Sequence, residues 1–337
     1  MRASRVSAVH GASRWKLLLK GTLAGKVAAA LRRRPRRLSR PAPGPAPASR
    51  GRFRVVYLVL CGPGELEPLS DLIDSIRTYE GDAAKVLVVE DATPDVRWPD
   101  VRAGFPDVDV IRARRPTGGP PRLSPPLALG YRTALERFAF DVVCKLDTDA
   151  LVTGPGLGAR AAARFAEDAR LGMLGTLGMR ADGVPEDYSY DAWVLDHERR
   201  WSRAVRQRLA RARAGTYDGR KVHGGVYVIG RRALEAMDLD TDPPWWSQIG
   251  EDLWFSLAVC AAGFELGSWG APGEPTASAS KWLPVPLAEI RGRGVLAVHS
   301  VRRGADGESE AAVREALRAQ RAGVDPRGAG DHPVEPE

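Results

Sequence analysis

Val142-Val143-Cys144-Lys145-Leu146-Asp147-Thr148-Asp149 is an apolar run that leads directly into two carboxylates separated by one threonine. A continuous apolar run of this length is typical of a strand buried on both faces of a parallel sheet. Two carboxylates just beyond such a strand can face one divalent cation, because Mg²⁺ and Mn²⁺ prefer oxygen ligands. The alternative interpretation of so short a motif is a solvated turn that contains two aspartates.

Apolar runs of strand length and helical patterns alternate on either side of this segment. The predicted strands are 55–60, 86–89, 108–111, 142–146, 222–229 and 295–298. The predicted helices are 66–79, 127–138, 159–169, 198–214 and 251–262. This alternation predicts an α/β fold with a right-handed, mostly parallel sheet flanked by helices. Because ligands bind beyond the carboxyl ends of such strands, Asp91, Asp147 and Asp149 should converge on one crevice.

Charge divides the chain into unequal parts. Residues 1–50 contain 13 of the 50 basic residues and no acidic residue, which leaves 37 basic against 42 acidic residues in the remainder. The part predicted to fold is therefore mildly acidic, which argues against a nucleic-acid partner. We expect a basic tail at 1–50, a folded domain at 51–303 and a polar, partly disordered extension at 304–337 with a polar helix at 308–321.

The basic tail has two interpretations. Residues 13–34 can form an amphipathic helix, and the basic segment 13–37 would then contact an anionic membrane surface. The alternative is a solvated, disordered extension. The sequence has no apolar run of membrane-spanning length, and its three cysteines have neither zinc nor disulfide spacing. We therefore expect a cytoplasmic protein, with peripheral contact to the inner face of the membrane if the first interpretation holds.

The order of these motifs over residues 54–300 resembles the GT-A glycosyltransferases, in particular the inverting family 2 type. Glu90-Asp91 looks like the end of that family's second strand, where the aspartate contacts the nucleotide base. Asp147-Thr148-Asp149 looks like its metal motif. Gly224-Gly225 is similar to the glycine pair that lines the donor-sugar pocket. The resemblance thus implies a Rossmann-like nucleotide-binding half joined to an acceptor half.

The resemblance also implies roles for residues later in the chain. Glu251-Asp252 is similar to an acidic pair in which the aspartate acts as the base, with Glu251 shaping the acceptor pocket or orienting its neighbour. His299 resembles a third metal ligand beside Asp147 and Asp149. We add Arg122 as a candidate contact of the donor's diphosphate or nucleotide base. The alternative is that Arg122 is only a solvent-exposed side chain.

The sequence departs from the family pattern in three places. Glu90-Asp91-Ala92-Thr93 stands where Asp-Asp-Gly-Ser is common, and Leu129-Gly130-Tyr131 replaces Ala-Arg-Asn. The distal Gln-x-x-Arg-Trp motif of processive synthases is absent. The details of nucleotide recognition therefore differ, and a processive polymerase is not expected.

The expected function is a metal-dependent transfer of a sugar from a nucleotide diphosphate sugar to an acceptor hydroxyl, with inversion. A UDP-sugar is the donor that we favour. Mn²⁺ or Mg²⁺ is the expected cofactor. One alternative is a nucleotidyltransferase, although the loop at 61–66 carries none of the basic residues usual in that class. Another is a catalytically silent, membrane-associated binding protein of the same fold.

Overall fold

This computed structural model describes residues 52–92, 101–116 and 122–323. Its largest sheet has seven strands. Its strands are β1 (Arg52–Cys61), β2 (Ala84–Glu90), β3 (Asp109–Arg112), β4 (Ala139–Asp147), β6 (Leu171–Gly175), β7 (Val226–Gly230) and β8 (Glu265–Ser268), in the order β3-β2-β1-β4-β7-β6-β8. A separate three-stranded sheet has the order β5 (Ala150–Val152), β10 (Ala297–His299) and β9 (Thr276–Ser278).

The larger sheet is mostly parallel. β1 pairs in parallel with both β2 and β4, and β2 pairs in parallel with β3. β7 runs antiparallel to both of its neighbours, β4 and β6, while β6 and β8 are parallel. The predicted α/β fold with a mostly parallel sheet and flanking helices is confirmed.

Helices cover both faces of this sheet. The helices are α1 (Leu66–Glu80), α2 (Val101–Gly104), α3 (Ser124–Arg137), α4 (Leu157–Glu167), α5 (Ser189–Glu198), α6 (Arg203–Ala214), α7 (Arg231–Ala236), α8 (Glu251–Ala261), α9 (Leu287–Ile290) and α10 (Glu310–Ala322). Alternate residues of β1 point to opposite faces, as in any strand. Tyr57 and Val59 pack with Leu72 of α1, whereas Leu58 packs in a second core with Tyr131 of α3 and Phe255 of α8. Burial on both faces explains why β1 reads as a continuous apolar run.

The C-terminal helix α10 is part of the folded body. Val313 and Leu317 belong to the same core as α1. Its buried Arg314 pairs with Asp71 of α1 at 3.0 Å, and Arg321 contacts the same carboxylate. The boundary predicted after residue 303 therefore does not separate this helix from the domain. Residues 324–337 lie outside the described residues.

Two predicted elements differ from the structure. The predicted helix at 198–214 is interrupted: α5 ends at Glu198, and α6 starts after Ser202, whose Oγ accepts a hydrogen bond from Val205 N at 3.2 Å. A serine cap of this kind satisfies a free N–H at a helix start. Of the strand predicted at 222–229, only the part from Val226 is extended in the sheet, and the preceding residues form a loop.

The expectations for the basic tail, including its membrane contact through 13–37, lie outside the described residues. Within the part of the chain that is described, no helix has the length and apolar character needed to span a membrane. All three cysteines, which lie in the described ranges, are buried thiols.

Candidate active site

The carboxyl ends of the central strands place the candidate residues along one edge of the sheet. The register pairs Leu60 with Asp147, and the Asp91 N–H donates to the Cys61 carbonyl at 2.9 Å. The Asp147 N–H donates to the Gly225 carbonyl at 3.0 Å. Asp91, Asp147 and the glycine pair are therefore held at the same edge by backbone hydrogen bonds, and Asp91 is buried there.

Asp147, Asp149 and His299 form a compact group. One ligand atom from each lies within 4.8 Å of the others. His299 Nε2 is 3.5 Å from Asp147 Oδ2 and 3.2 Å from Asp149 Oδ1. The small sheet makes this possible, because its register places His299 opposite Ala150, the residue after Asp149. Two carboxylate oxygens and an imidazole nitrogen suit a borderline divalent cation such as Mn²⁺.

Neighbouring side chains hold the other oxygen of each carboxylate. Asp149 Oδ2 accepts a hydrogen bond from Ser300 Oγ at 2.6 Å and pairs with Arg302 Nε at 2.7 Å. Asp147 Oδ1 pairs with the fully buried Lys145 Nζ at 2.6 Å. Each aspartate thus has one oxygen engaged and one oxygen directed toward His299. Outer contacts of this kind orient the ligands of a metal and tune their basicity.

The orientation of the His299 ring follows from Ser278 and Gly225. Ser278 Oγ donates to the Gly224 carbonyl at 2.8 Å, and it also lies 3.2 Å from His299 Nδ1 and 3.0 Å from His223 Nδ1. With Nδ1 in contact with Ser278, Nε2 is the ring nitrogen that faces the two carboxylates. Gly225 has φ +88, and a Cβ there would lie 2.1 Å from Nδ1. Only glycine fits this position with the ring in place.

Negative charge is concentrated around this group. Burial opposes ionisation of Asp149, but His299, Ser300 and Arg302 outweigh it and hold the pKa of Asp149 well below its usual range. On the loop after β1, burial raises the pKa of Glu65, and the charges of Asp147 and Asp149 act in the same direction. A cation bound between these carboxylates would relieve that repulsion.

The acidic pair forms the first turn of α8 and is connected to this group. Lys145 Nζ, which contacts Asp147, also lies 3.1 Å from Glu251 Oε1. Asp252 Oδ2 accepts the Gly224 N–H at 3.2 Å and pairs with Lys221 Nζ at 2.8 Å. A Cβ on Gly224 would lie 3.1 Å from Glu251 Oε1. The glycine pair thus lies between His299 on one side and the acidic pair on the other.

The two acids of the pair differ in their electrostatics. Burial raises the pKa of Glu251, and the adjacent Asp252 adds to this effect, although Lys145 opposes it. Burial also disfavours the charged form of Asp252, but Lys221 more than compensates, so the pKa of Asp252 lies below its usual range. Two neighbouring carboxyl groups with pKa values moved in opposite directions are typical of acid–base sites.

Arg122 lies apart from the carboxylate group. It is exposed, and its guanidinium lies 5.9 Å from the ring centre of Trp245, on the segment before α8. Trp245 is itself 59% exposed. Among the described residues, Arg122 contacts this aromatic ring and forms no ion pair with Asp147 or Asp149.

Several residues of the site were not predicted from the sequence. They are Glu65, Lys145, Asp191, Lys221, Ser278, Ser300 and Arg302. Lys145 carried a signal, because a lysine within an apolar strand needs a buried counter-charge. The two serines carried none, because serine is common in loops and strand ends alike.

Comparison with known proteins identifies no family. No protein-family model matches the chain, and no curated protein matches it. A similar solved structure is a mannosyltransferase, PcManGT from Pyrobaculum calidifontis, in complex with GDP-Man and Mn²⁺. The TM-score is 0.38 at 18% sequence identity, and the alignment covers 68% of this chain and 58% of the mannosyltransferase chain. This chain therefore aligns with little more than half of that protein, and the likeness carries no information about individual residues.

Proposed function

We propose that the chain is a metal-dependent glycosyltransferase that moves a sugar from a nucleotide diphosphate sugar to an acceptor hydroxyl. The observation that supports it best is the convergence of Asp147 Oδ2, Asp149 Oδ1 and His299 Nε2 within 4.8 Å. Lys145 joins this group to the acidic pair. A Mn²⁺ or Mg²⁺ ion held there would neutralise charge on the diphosphate leaving group.

The remaining residues of the edge have roles that suit this reaction. Asp91, directly after β2, would contact the nucleotide base, as the sequence resemblance implies. Gly224 and Gly225 would line the donor-sugar pocket, as the sequence resemblance implies. Glycine at 225 is also required by His299, because a side chain there would collide with its ring. Arg122 would contribute to donor binding from the exposed rim, together with Trp245. The sequence resemblance favours a UDP-sugar, whereas the solved neighbour binds GDP-Man; the donor assay below compares these nucleotides.

Asp252 is the proposed general base. Its low pKa keeps it ionised near neutral pH, and its carboxylate would accept the proton of the acceptor hydroxyl. The acceptor oxygen forms its bond to the anomeric carbon as the bond from that carbon to the diphosphate breaks. Attack from the face opposite the leaving group gives inversion. Glu251 would shape the acceptor pocket or orient Asp252, and its contact with Lys145 connects the acidic pair to Asp147.

Donor turnover tests this proposal directly. The full-length chain is incubated with GDP-mannose, UDP-glucose or dTDP-glucose in Mn²⁺ or in EDTA, and release of the nucleoside diphosphate is measured. We expect turnover with one donor class, and only with metal. Asp149→Asn should abolish turnover, and Asp252→Asn should reduce kcat by at least about 100-fold with little change in donor binding.

The exposed Asp182 provides a matched control, because Asp182→Asn changes a carboxylate away from the site and should leave turnover unchanged. Full activity in EDTA, or in Asp149→Asn, would contradict the proposal. Release of pyrophosphate from a nucleoside triphosphate would instead support a nucleotidyltransferase. Metal-dependent nucleotide binding without turnover of any donor would support a silent binding protein.

A further inference from the structure

A lysine between two aspartates lies beside the proposed base. Lys221 Nζ is 2.8 Å from Asp252 Oδ2 and 3.3 Å from Asp191 Oδ1. The three side chains are 17%, 10% and 15% exposed, so water screens their charges only weakly. They come from three separate parts of the chain: Asp191 from the first turn of α5, Lys221 from the loop before β7, and Asp252 from the first turn of α8.

The surroundings of Asp252 would otherwise favour its protonated form. Glu251 lies beside it on α8, and Asp191 adds a second negative charge from α5. Tyr227 faces it from β7 and stays neutral, because burial raises the pKa of its hydroxyl. Burial lowers the pKa of His223 and so disfavours charge on this ring, although its interaction with Asp252 acts in the opposite direction. Within the described residues, Lys221 is therefore the cation that contacts Asp252.

A base must be ionised before it can accept a proton, and a buried carboxylate beside other acids has a raised proton affinity. We propose that Lys221 is a positioning residue that keeps Asp252 ionised, and that Asp191 limits this effect by sharing the same ammonium group. This inference rests on the proposed role of Asp252 as the base. Too weak a contact would leave Asp252 protonated, and too strong a contact would make it a poor proton acceptor.

The two neighbours should have opposite effects on Asp252. Lys221→Met removes the cation, so Asp252 should hold its proton to higher pH. Asp191→Asn removes the competing carboxylate and leaves Lys221 to Asp252 alone, so Asp252 should lose its proton at lower pH. Lys221→Arg keeps the positive charge, so the titration midpoint of Asp252 should stay close to that of the wild type.

Titration of Asp252 tests this without any substrate. The full-length chain is labelled with ¹³C at the aspartate carboxyl carbons, and the spectrum of Asp252→Asn is used to assign the signal of Asp252. We expect Lys221→Met to raise its titration midpoint by at least about one pH unit, a 10-fold change in proton affinity. Asp191→Asn should lower the midpoint, and thermal unfolding reports whether each variant is folded.

An unchanged midpoint in folded Lys221→Met, or shifts of both variants in the same direction, would overturn the inference. If Lys221→Met does not fold, Asp191→Asn decides: a lowered midpoint supports the inference and an unchanged or raised one overturns it. The turnover assay separates the two proposals. If the titration midpoints shift as expected but the chain turns over no donor, only the proposed glycosyltransferase function is refuted. With turnover, the acid limb of the kcat/KM profile should move with the Asp252 midpoint.

Discussion

Replacing Gly225 by alanine should displace His299 and weaken metal binding. The added Cβ would lie 2.1 Å from Nδ1, 2.3 Å from Cγ and 2.4 Å from Cε1 of that ring. Ordinary contacts of this kind are about 3.5 Å or more, so the buried ring has to move by about 1 Å or more. Such a movement breaks its contact with Ser278 and takes Nε2 away from Asp149 Oδ1.

Gly263 is a matched control for the backbone. It has the same φ, +88, but a Cβ there meets no atom within 4 Å. Alanine in this left-handed conformation costs about 1–2 kcal/mol at either position. That cost should lower Tm by a few degrees in both variants, since about 1 kcal/mol corresponds to about 2–4 °C for a domain of this size.

The difference between the two variants isolates the effect on His299. Mn²⁺ binding in the presence of GDP or UDP is measured by calorimetry, and unfolding is followed by circular dichroism. Gly263→Ala should bind Mn²⁺ as the wild type does, whereas Gly225→Ala should bind it at least 10-fold more weakly, about 1.4 kcal/mol. Equal Mn²⁺ affinities in the two variants would refute the placement of His299 in the metal site.

Three further predictions concern stability and location. Burial raises the pKa of Glu80 from 4.5 to about 7, so the contribution of Glu80 to stability is fully present below about pH 4.5 and is lost as the pH rises through 7. Glu80→Gln should remove about 3 kcal/mol of this pH dependence in urea unfolding, and an unchanged pH dependence would contradict the prediction. Asp71→Asn removes the buried carboxylate that Arg314 and Arg321 share, and it should destabilise the chain by about 3–5 kcal/mol in the same assay. The exposed Asp74→Asn should have little effect, and an equally small effect of both substitutions would show that the pairing is dispensable. Deleting residues 1–50 should leave donor turnover intact and reduce sedimentation with phosphatidylserine vesicles at low salt. A full-length chain that does not sediment with these vesicles would refute the membrane interpretation.

The strands that carry the site could be predicted because their burial is local information. β1 and β4 are covered on both faces, so their sequences are continuously apolar, and the position of Asp147 at a carboxyl end follows from that. The strand order then brings Asp91 to the same edge. The position of His299 after an apolar run was also visible, but its distance from Asp149 depends on the small sheet, whose short strands β5 and β9 have no distinctive pattern.

The side chains that orient the ligands could not be predicted in the same way. Ser300 and Asp149 are 151 residues apart in the sequence, and their contact follows from long-range pairing alone. The same limit applies to α10, whose inward face carries Arg314 and Arg321. Arginines on a helix read as solvent-facing, and only the buried Asp71 on α1 makes them part of the interior.

The central claim is that His299 and the two aspartates bind one divalent cation. Electron spin echo measurements on Mn²⁺ bound to the full-length chain detect a nitrogen ligand through its nuclear modulation. The wild type should show ¹⁴N modulation, which His299→Ala should lose while binding Mn²⁺ more weakly, and which His197→Ala on α5 should keep. Modulation that persists in His299→Ala, or a wild-type chain that binds no Mn²⁺ with or without nucleoside diphosphate, would contradict the account.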